Sequence, residues 1–359
     1  GLKQQAAGDI RERTADGLSP VQQLGAISAR AHAHAARIAQ CFADIQPLLR
    51  AQGDRPLATR ELDADQKAHL HTLFRRDMFP ALTPLAIDPG HPFPHLRNKS
   101  LNLAVTMTGG TSAFSVVQVP RSIPRLIELP AAPAGGRSYV LLEDVIAMHA
   151  DVLFAGMECT GCYAFRVTRN FDLDIDDEEA EDLLETIEQE LRRRERGNAV
   201  RLEVTGGTPD EVRRALTEVM GLQQDDVYEQ PAPLDLAFAN QLAGALQGAE
   251  MRDEPFTPRV VGAFRQATDP FALIAERDIM LHHPYDSFDS VVEFVNAAVA
   301  DPHVLAIKMT LYRTSLDSPI PRALARAAEA GKDVTAVVEL KARFDEMANI
   351  RWARELEES

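Results

Sequence analysis

The chain has 359 residues, 45% of them hydrophobic and 26% charged, with 54 acidic against 38 basic side chains and a formal net charge of −16. That length exceeds one ordinary core and points to two or three domains. The acidity argues against a protein that slides on nucleic acid, no apolar run reaches the 18 residues of a helical membrane span, and three cysteines suit a reducing cytoplasm better than a disulfide framework. A focused phosphate pocket stays compatible with the acidity, because charges are screened beyond roughly 8 Å at physiological salt. Gly1 without an initiator Met, and a charged helical pattern still running at Arg351–Glu358, lead us to expect residues missing at both ends.

Residues 1 to about 52 read as helical. Ser19-Pro20 is a helix start, and Leu24, Ile27, Ala31, Ala35, Ile38 and Phe42 follow helical spacing toward an inner face. His32 and His34 stand two apart, on different faces, which suits no metal. A second helix is expected from Asp63 to Met78. Five prolines between Phe79 and Pro94 then predict an extended path without regular structure. Strands are expected at 98–107, 113–119, 138–142, 165–169 and 200–204. An acidic-to-basic helix is expected from Asp172 to Arg194 and another from Pro209 to Met220. Tyr228 to Pro258 reads as a linker around a short helix.

The last hundred residues read as a parallel α/β unit. Asp278–Leu281 is expected as a short strand, Ser287–Val299 as an amphipathic helix, and Val304–Met309 as a buried strand. Pro319–Ala330 is expected as a helix closed by Gly331, and Val334–Leu340 as a second apolar strand. Arg313 and Arg343 follow these two strands, 30 residues apart, so neighbouring parallel strands would deliver both to one carboxyl edge, where open α/β sheets bind ligands. With Lys308 and Lys341 nearby they suit phosphate oxygens, since guanidinium offers planar paired donors that stay charged. Ion pairs with Asp317, Asp345 or Glu346 are the competing reading. Cys159-x-x-Cys162 lacks the further ligands a zinc site needs, Gly109-Gly110 and Gly206-Gly207 read as turns, and Phe344 and Trp352 read as core.

Three long segments resemble the polyphosphate kinase family. They are Phe79-Pro80-x-Leu82-Thr83-Pro84-Leu85-Ala86 with His91-Pro92-Phe93-Pro94; Phe165-Arg166-Val167-Thr168-Arg169-Asn170 with Val200-Arg201-Leu202-Glu203-Val204; and the C-terminal set. That set comprises His282-His283-Pro284-Tyr285-Asp286-Ser287-Phe288, Lys308-x-Thr310-Leu311-Tyr312-Arg313-Thr314 and Glu339-Leu340-Lys341-Ala342-Arg343-Phe344-Asp345-Glu346. The resemblance implies a multidomain α+β and α/β chain. Residues 1–52 would end a helical N-terminal domain, 53–258 would form an α+β head, and 259–359 would open a phospholipase D-like α/β catalytic domain. It implies reversible transfer of the ATP terminal phosphate to inorganic polyphosphate through a phosphohistidine, with Mg²⁺ as cofactor and ATP as substrate. Arg313 and Arg343 would hold oxygens of the metal-bound phosphates. It also implies a homo-oligomer formed through the head, no nucleic acid partner, no membrane span, and a cytoplasmic place with room for peripheral inner-membrane association. The family's phosphoacceptor histidine is expected after Ser359, so this piece alone is expected to be inactive, and His282 and His283 are not assigned that role. A phospholipase D-like phosphodiesterase and a non-catalytic phosphate-binding module are the alternatives.

Overall fold

The computed structural model describes residues 2–8, 15–87, 93–108, 114–130, 136–154, 156–170, 184–185, 187, 197–231, 233–246, 253–266, 269–312, 314–315, 317–340, 342 and 345–359. Two compact units emerge: residues 1–172 with 193–251, and residues 173–192 with 252–359. The expected helix over 172–194 falls almost wholly outside the described residues, as do Gly109-Gly110 and Phe344.

The first unit opens with a short helix, Leu2–Ala7, and a long one, Pro20–Ala51. The long helix starts where the sequence says it should. Ser19 Oγ accepts from the Gln22 N–H, and Gln22 Oε1 accepts from the Ser19 N–H, with Pro20 at the first helical position. Its expected inner face needs correction: Ala35 is buried, but Ile27 and Ile38 are 53% and 43% exposed. Asp63 caps the Ala64–Leu73 helix in the same reciprocal way with Gln66. A π turn over Phe74–Met78 and a 3₁₀ turn over Phe79–Ala81 follow.

The main sheet has six strands in the order β2-β4-β3-β7-β8-β9: β2 (Pro84–Ala86), β3 (Leu101–Met107), β4 (Ser115–Gln118), β7 (Cys159–Arg169), β8 (Ala199–Thr205) and β9 (Val227–Gln230). Neighbours are antiparallel except β8 and β9. The proline-rich stretch does contain a strand. Proline is tolerated in β2 because it opens an edge strand, where its missing N–H breaks no central ladder. β9 likewise corrects the linker reading of 228–258; only its later part is irregular around the 3₁₀ turn Leu236–Phe238 and the Ala239–Ala245 helix. A three-stranded sheet, β1 (Asp54–Pro56), β6 (Arg137–Leu141) and β5 (Leu126–Glu128), lies beside it in that order.

Period-two alternation divides the six-stranded sheet between two cores. Leu101, Leu103, Val105 and Val117 pack with Leu70, Phe74, Val145 and Ile146, the last two from the Leu142–Met148 helix. On the other face Ala104, Val116, Phe165, Val167, Leu202 and Val204 pack with Val212 and Leu216 of the Asp210–Val219 helix.

In the second unit, short helices Gly262–Gln266 and Pro270–Glu276 precede the Asp289–Ala300 helix. No strand forms over 278–281, where Met280 is 89% exposed; Asp286 instead forms an isolated bridge with Arg259. Then come β10 (Ala306–Leu311), the Pro319–Glu329 helix, β11 (Asp333–Val338) and the Glu346–Glu357 helix. β10 and β11 are parallel, as expected for a β-α-β crossover. They are not buried on both faces. Ile307, Met309, Leu311, Val334, Ala336 and Val338 pack toward Val295, Ala323 and Leu324, while Lys308, Thr310, Thr335 and Val337 are exposed.

Candidate functional site

The carboxyl ends of β10 and β11 define the candidate site. The ladder pairs Ala306 with Asp333 through to Leu311 with Val338, and the Glu339 N–H still donates to the Leu311 carbonyl at 3.1 Å. Both chains therefore leave the sheet at the same level. The register offset is 27 residues, not the 30 that separate the two arginines. Arg313 comes two residues after β10 ends and Arg343 five residues after β11 ends, so the second exit is longer by three residues, a reach of up to about 10 Å. Arg313, Lys341 and Arg343 lie outside the described residues. Lys308 is described: it stands opposite Thr335 within the ladder, on the exposed face, three residues short of the strand end.

Asn349, which the sequence reading did not single out, holds the two exits together. It lies in the Glu346–Glu357 helix and is 1% exposed. Its Nδ2 donates to the Tyr312 carbonyl at 2.8 Å and to the Glu339 carbonyl at 2.7 Å. One buried amide thus sets the spacing between the residue before Arg313 and the residue two before Lys341. Trp352 is buried as expected, and its Nε1–H donates to the Ser315 carbonyl at 3.2 Å, tying down the first exit a second time. The available signal was a polar residue, Asn349, flanking the inward Ile350 and Trp352 of an amphipathic helix. Of the acids named as competing partners, Asp317 is 98% exposed at its side chain and reaches Arg322 only at 3.9 Å.

The other chemical signals resolve into structure. The His282-His283 segment is a turn organised by Asp286, whose carboxylate accepts from Arg259 Nε at 2.6 Å and from the His282 N–H at 2.8 Å. The Arg259 hydrogen bond first, and the His282 backbone second, hold that carboxyl below its ordinary range. His32 stacks on Tyr228 with ring centroids 3.9 Å apart. Burial pushes the Cys159 thiol up to about 11, with Asp151 adding to it, and the Cys162 thiol up to about 12, with the nearby Cys159 and Asp144 adding to it. Thiols held that far toward the protonated form are poor nucleophiles and poor metal ligands at neutral pH. Among the described residues, no three His, Cys, Asp or Glu side chains gather as a metal site would require.

Comparisons with known proteins agree with this layout. Residues 65–242 match the model of the polyphosphate kinase middle domain, and residues 269–359 match that of polyphosphate kinase C-terminal domain 1. A polyphosphate kinase of Streptomyces coelicolor is 46% identical over 369 residues, covering all of this chain and 49% of that protein. One of Mycobacterium tuberculosis is 44% identical over 377 residues, covering all of this chain and 51% of that protein. The crystal structure of polyphosphate kinase from Porphyromonas gingivalis superposes with a TM-score of 0.73 at 28% identity, covering 92% of this chain and 49% of that one. The chain spans about half the length of the curated relatives it matches. It belongs to the polyphosphate kinase family.

Proposed function

We propose that this chain supplies part of the phosphate-handling site of an enzyme that moves the ATP terminal phosphate reversibly onto inorganic polyphosphate through a phosphohistidine. The observation that supports it is the pair of strand exits leaving one carboxyl edge in register, cross-tied by Asn349. Such an edge is where an open α/β sheet accepts a ligand. Arg313 and Arg343, carried on those exits, would grip the equatorial oxygens of a transferring phosphoryl group. Phosphoryl transfer needs this positioning and charge neutralisation more than covalent help from the protein. Lys341 would join them. Lys308, within the ladder on the open sheet face, would add to the positive field.

Magnesium would arrive with the phosphates. It prefers oxygen ligands and commonly binds through substrate phosphates with one or two carboxylates. When bound it would screen the charge between adjacent phosphates. An arginine cannot ligate a cation, so Arg313 and Arg343 would act on the metal only through shared phosphate oxygens. None of the ten histidines of this chain is assigned the phosphoacceptor role. The proposal keeps the three-part division at 52 and 258, a head-mediated homo-oligomer and a cytoplasmic setting. Among the described residues, no helix is long and apolar enough to cross a membrane.

The test uses the full-length protein with ATP and Mg²⁺. ADP and acid-insoluble polyphosphate are the expected products. Arg313→Ala and Arg343→Ala should each cost about 3 kcal/mol of transition-state stabilisation, roughly a hundredfold or more in rate, the scale of removing one oxyanion donor. Near-normal turnover in either variant removes that residue from the site. Phosphodiester cleavage without ATP consumption would overturn the assignment in favour of a phosphodiesterase.

A further inference from the structure

Two non-glycine residues have left-handed backbone among the described residues: Lys99 at φ 56° and Asp235 at φ 52°. Both line one cavity of about 470 Å³ in the first unit, between the Pro20–Ala51 helix and the β7-β8-β9 end of the six-stranded sheet. Such a conformation costs a residue with a Cβ of order 1 kcal/mol or more, and it persists where surrounding structure enforces it, often at ligand sites.

The cavity has two unlike walls. The sheet wall is basic. Arg166 and Glu203 face each other across β7 and β8 in register, as do Thr168 and Arg201. Arg166 is fully engaged: Nη1 donates to Glu203 Oε2 at 2.9 Å, Nη2 lies 3.5 Å from Asp235 Oδ1, and Nε reaches the Lys99 carbonyl at 3.4 Å. Both carboxylates at the site are thus already taken. The remaining cations are not. Arg201 spends Nη2 on Glu203 Oε1 at 2.7 Å, and its guanidinium lies 3.8 Å from the centroid of the Tyr228 ring. Its Nε–H is buried with no acceptor. Among the described residues Lys99 Nζ has no hydrogen-bond or ion-pair partner. The opposite wall is apolar, formed by Ala35, Ile38, Ala39 and Phe42 of the long helix. This also accounts for Ile38, an apolar residue on an otherwise inward pattern that stands 43% exposed.

We propose that this cavity binds a small phosphate monoester, with the phosphate on Lys99 and Arg201 and the organic part against Ile38 and Phe42. Arg166 is a positioning residue: it fixes Glu203 and the Lys99 backbone, and so holds the two free cations apart from the carboxylates. A fully ionised phosphate carries the acceptor oxygens that Arg201 and Lys99 lack. The apolar wall is of no use to inorganic phosphate and favours an ester over it. The site is independent of the strand exits described above.

Calorimetric titration of the 359-residue chain tests this, using inorganic phosphate and phenyl phosphate as probes. The titrations are run in an Arg313→Ala/Arg343→Ala background so that binding at the sheet edge does not contribute. Phenyl phosphate should saturate at one site and bind several-fold tighter than inorganic phosphate. Lys99→Gln and Arg201→Gln should each weaken both probes by about tenfold, the scale of one hydrogen bond to a charged group. Ile38→Ser should weaken phenyl phosphate by roughly threefold and leave inorganic phosphate unchanged, a split that general destabilisation would not produce. Lys99 is exposed and unpartnered, so its variant should fold normally even if Arg201→Gln does not. Absence of saturable phenyl phosphate binding, or unchanged affinity in Lys99→Gln, overturns the proposal.

Discussion

Replacing Asn349 by Asp isolates the amide that spans the two strand exits. The change keeps the shape of the side chain and removes its donors. Two hydrogen bonds are lost, to the Tyr312 and Glu339 carbonyls, each worth about 0.5–1.5 kcal/mol net. The Oδ1 side contributes nothing to the difference, because that atom has no partner in the native chain. An oxygen in place of Nδ2 then faces two carbonyl oxygens at a position 1% exposed, so the new carboxyl must either take a proton or move. The total comes to roughly 3 kcal/mol of destabilisation for the second unit. Trp352, the chain's single tryptophan, is buried in the same helix and bonded to Ser315. Its fluorescence in a urea titration therefore reports on this unit alone. With a slope of about 2 kcal/mol/M, the midpoint should fall by about 1.5 M. Asn349→Leu, which loses the bonds without adding a buried charge, should fall by less. A midpoint for Asn349→Asp within about 0.2 M of the parent would refute the view that this amide sets the exits.

Three further outcomes are expected. Burial, aided by neighbouring Glu143 and opposed by Arg125, pushes the Asp144 carboxyl up to about 7. The folded state therefore holds a proton that the unfolded chain has released, and stability of the first unit should fall as pH rises from about 4 to about 7. Asp144→Asn should flatten that slope and raise stability by about 2 kcal/mol at pH 8 with little effect at pH 4; denaturation at the two pH values checks it, and an unchanged slope counts against it. Iodoacetamide at pH 8 should label the exposed Cys41 well before Cys159 and Cys162, whose thiols are held protonated; mass spectrometry reads the order, and early labelling of Cys162 would contradict the burial. Glu61→Gln should unlock the end of the long helix, because Arg50 donates to both Glu61 oxygens and this pairing first holds that carboxyl down to about 2; faster amide exchange at residues 45–52 is the expected readout, and unchanged exchange would count against it.

What the sequence disclosed was local. Ser19-Pro20, Asp63 with Gln66, and Ser318-Pro319 announce helix starts because the capping atoms sit within three residues of one another. The alternation in β3, β7 and β8 is long enough to read. Strands β1, β5 and β9 escaped notice because they have three or four residues and are made by partners far along the chain: Asp54 by Arg137, Leu126 by Leu141, Val227 by Leu202. The carboxyl edge was legible, since apolar strands flanking a Ser-Pro helix specify a parallel crossover. Its register was not. The offset of 27 rather than 30 follows from how the Pro319–Glu329 helix packs, and no residue spacing encodes that directly. Asn349 and the Lys99–Asp235 pair were hidden for a related reason. Asn349 acts on backbone carbonyls of two other segments, and Lys99 carries no glycine-like signal for its left-handed turn.

The first exit segment waits on a residue made long after it. Asn349 follows Tyr312 by 37 positions, and Trp352 follows Ser315 by the same distance. At translation speeds of about 5–20 residues per second, a ribosome needs about 2–7 s to cover that stretch. During that interval the nascent Tyr312–Ser315 segment has neither of its anchors, so its final path is fixed from the carboxyl side backwards.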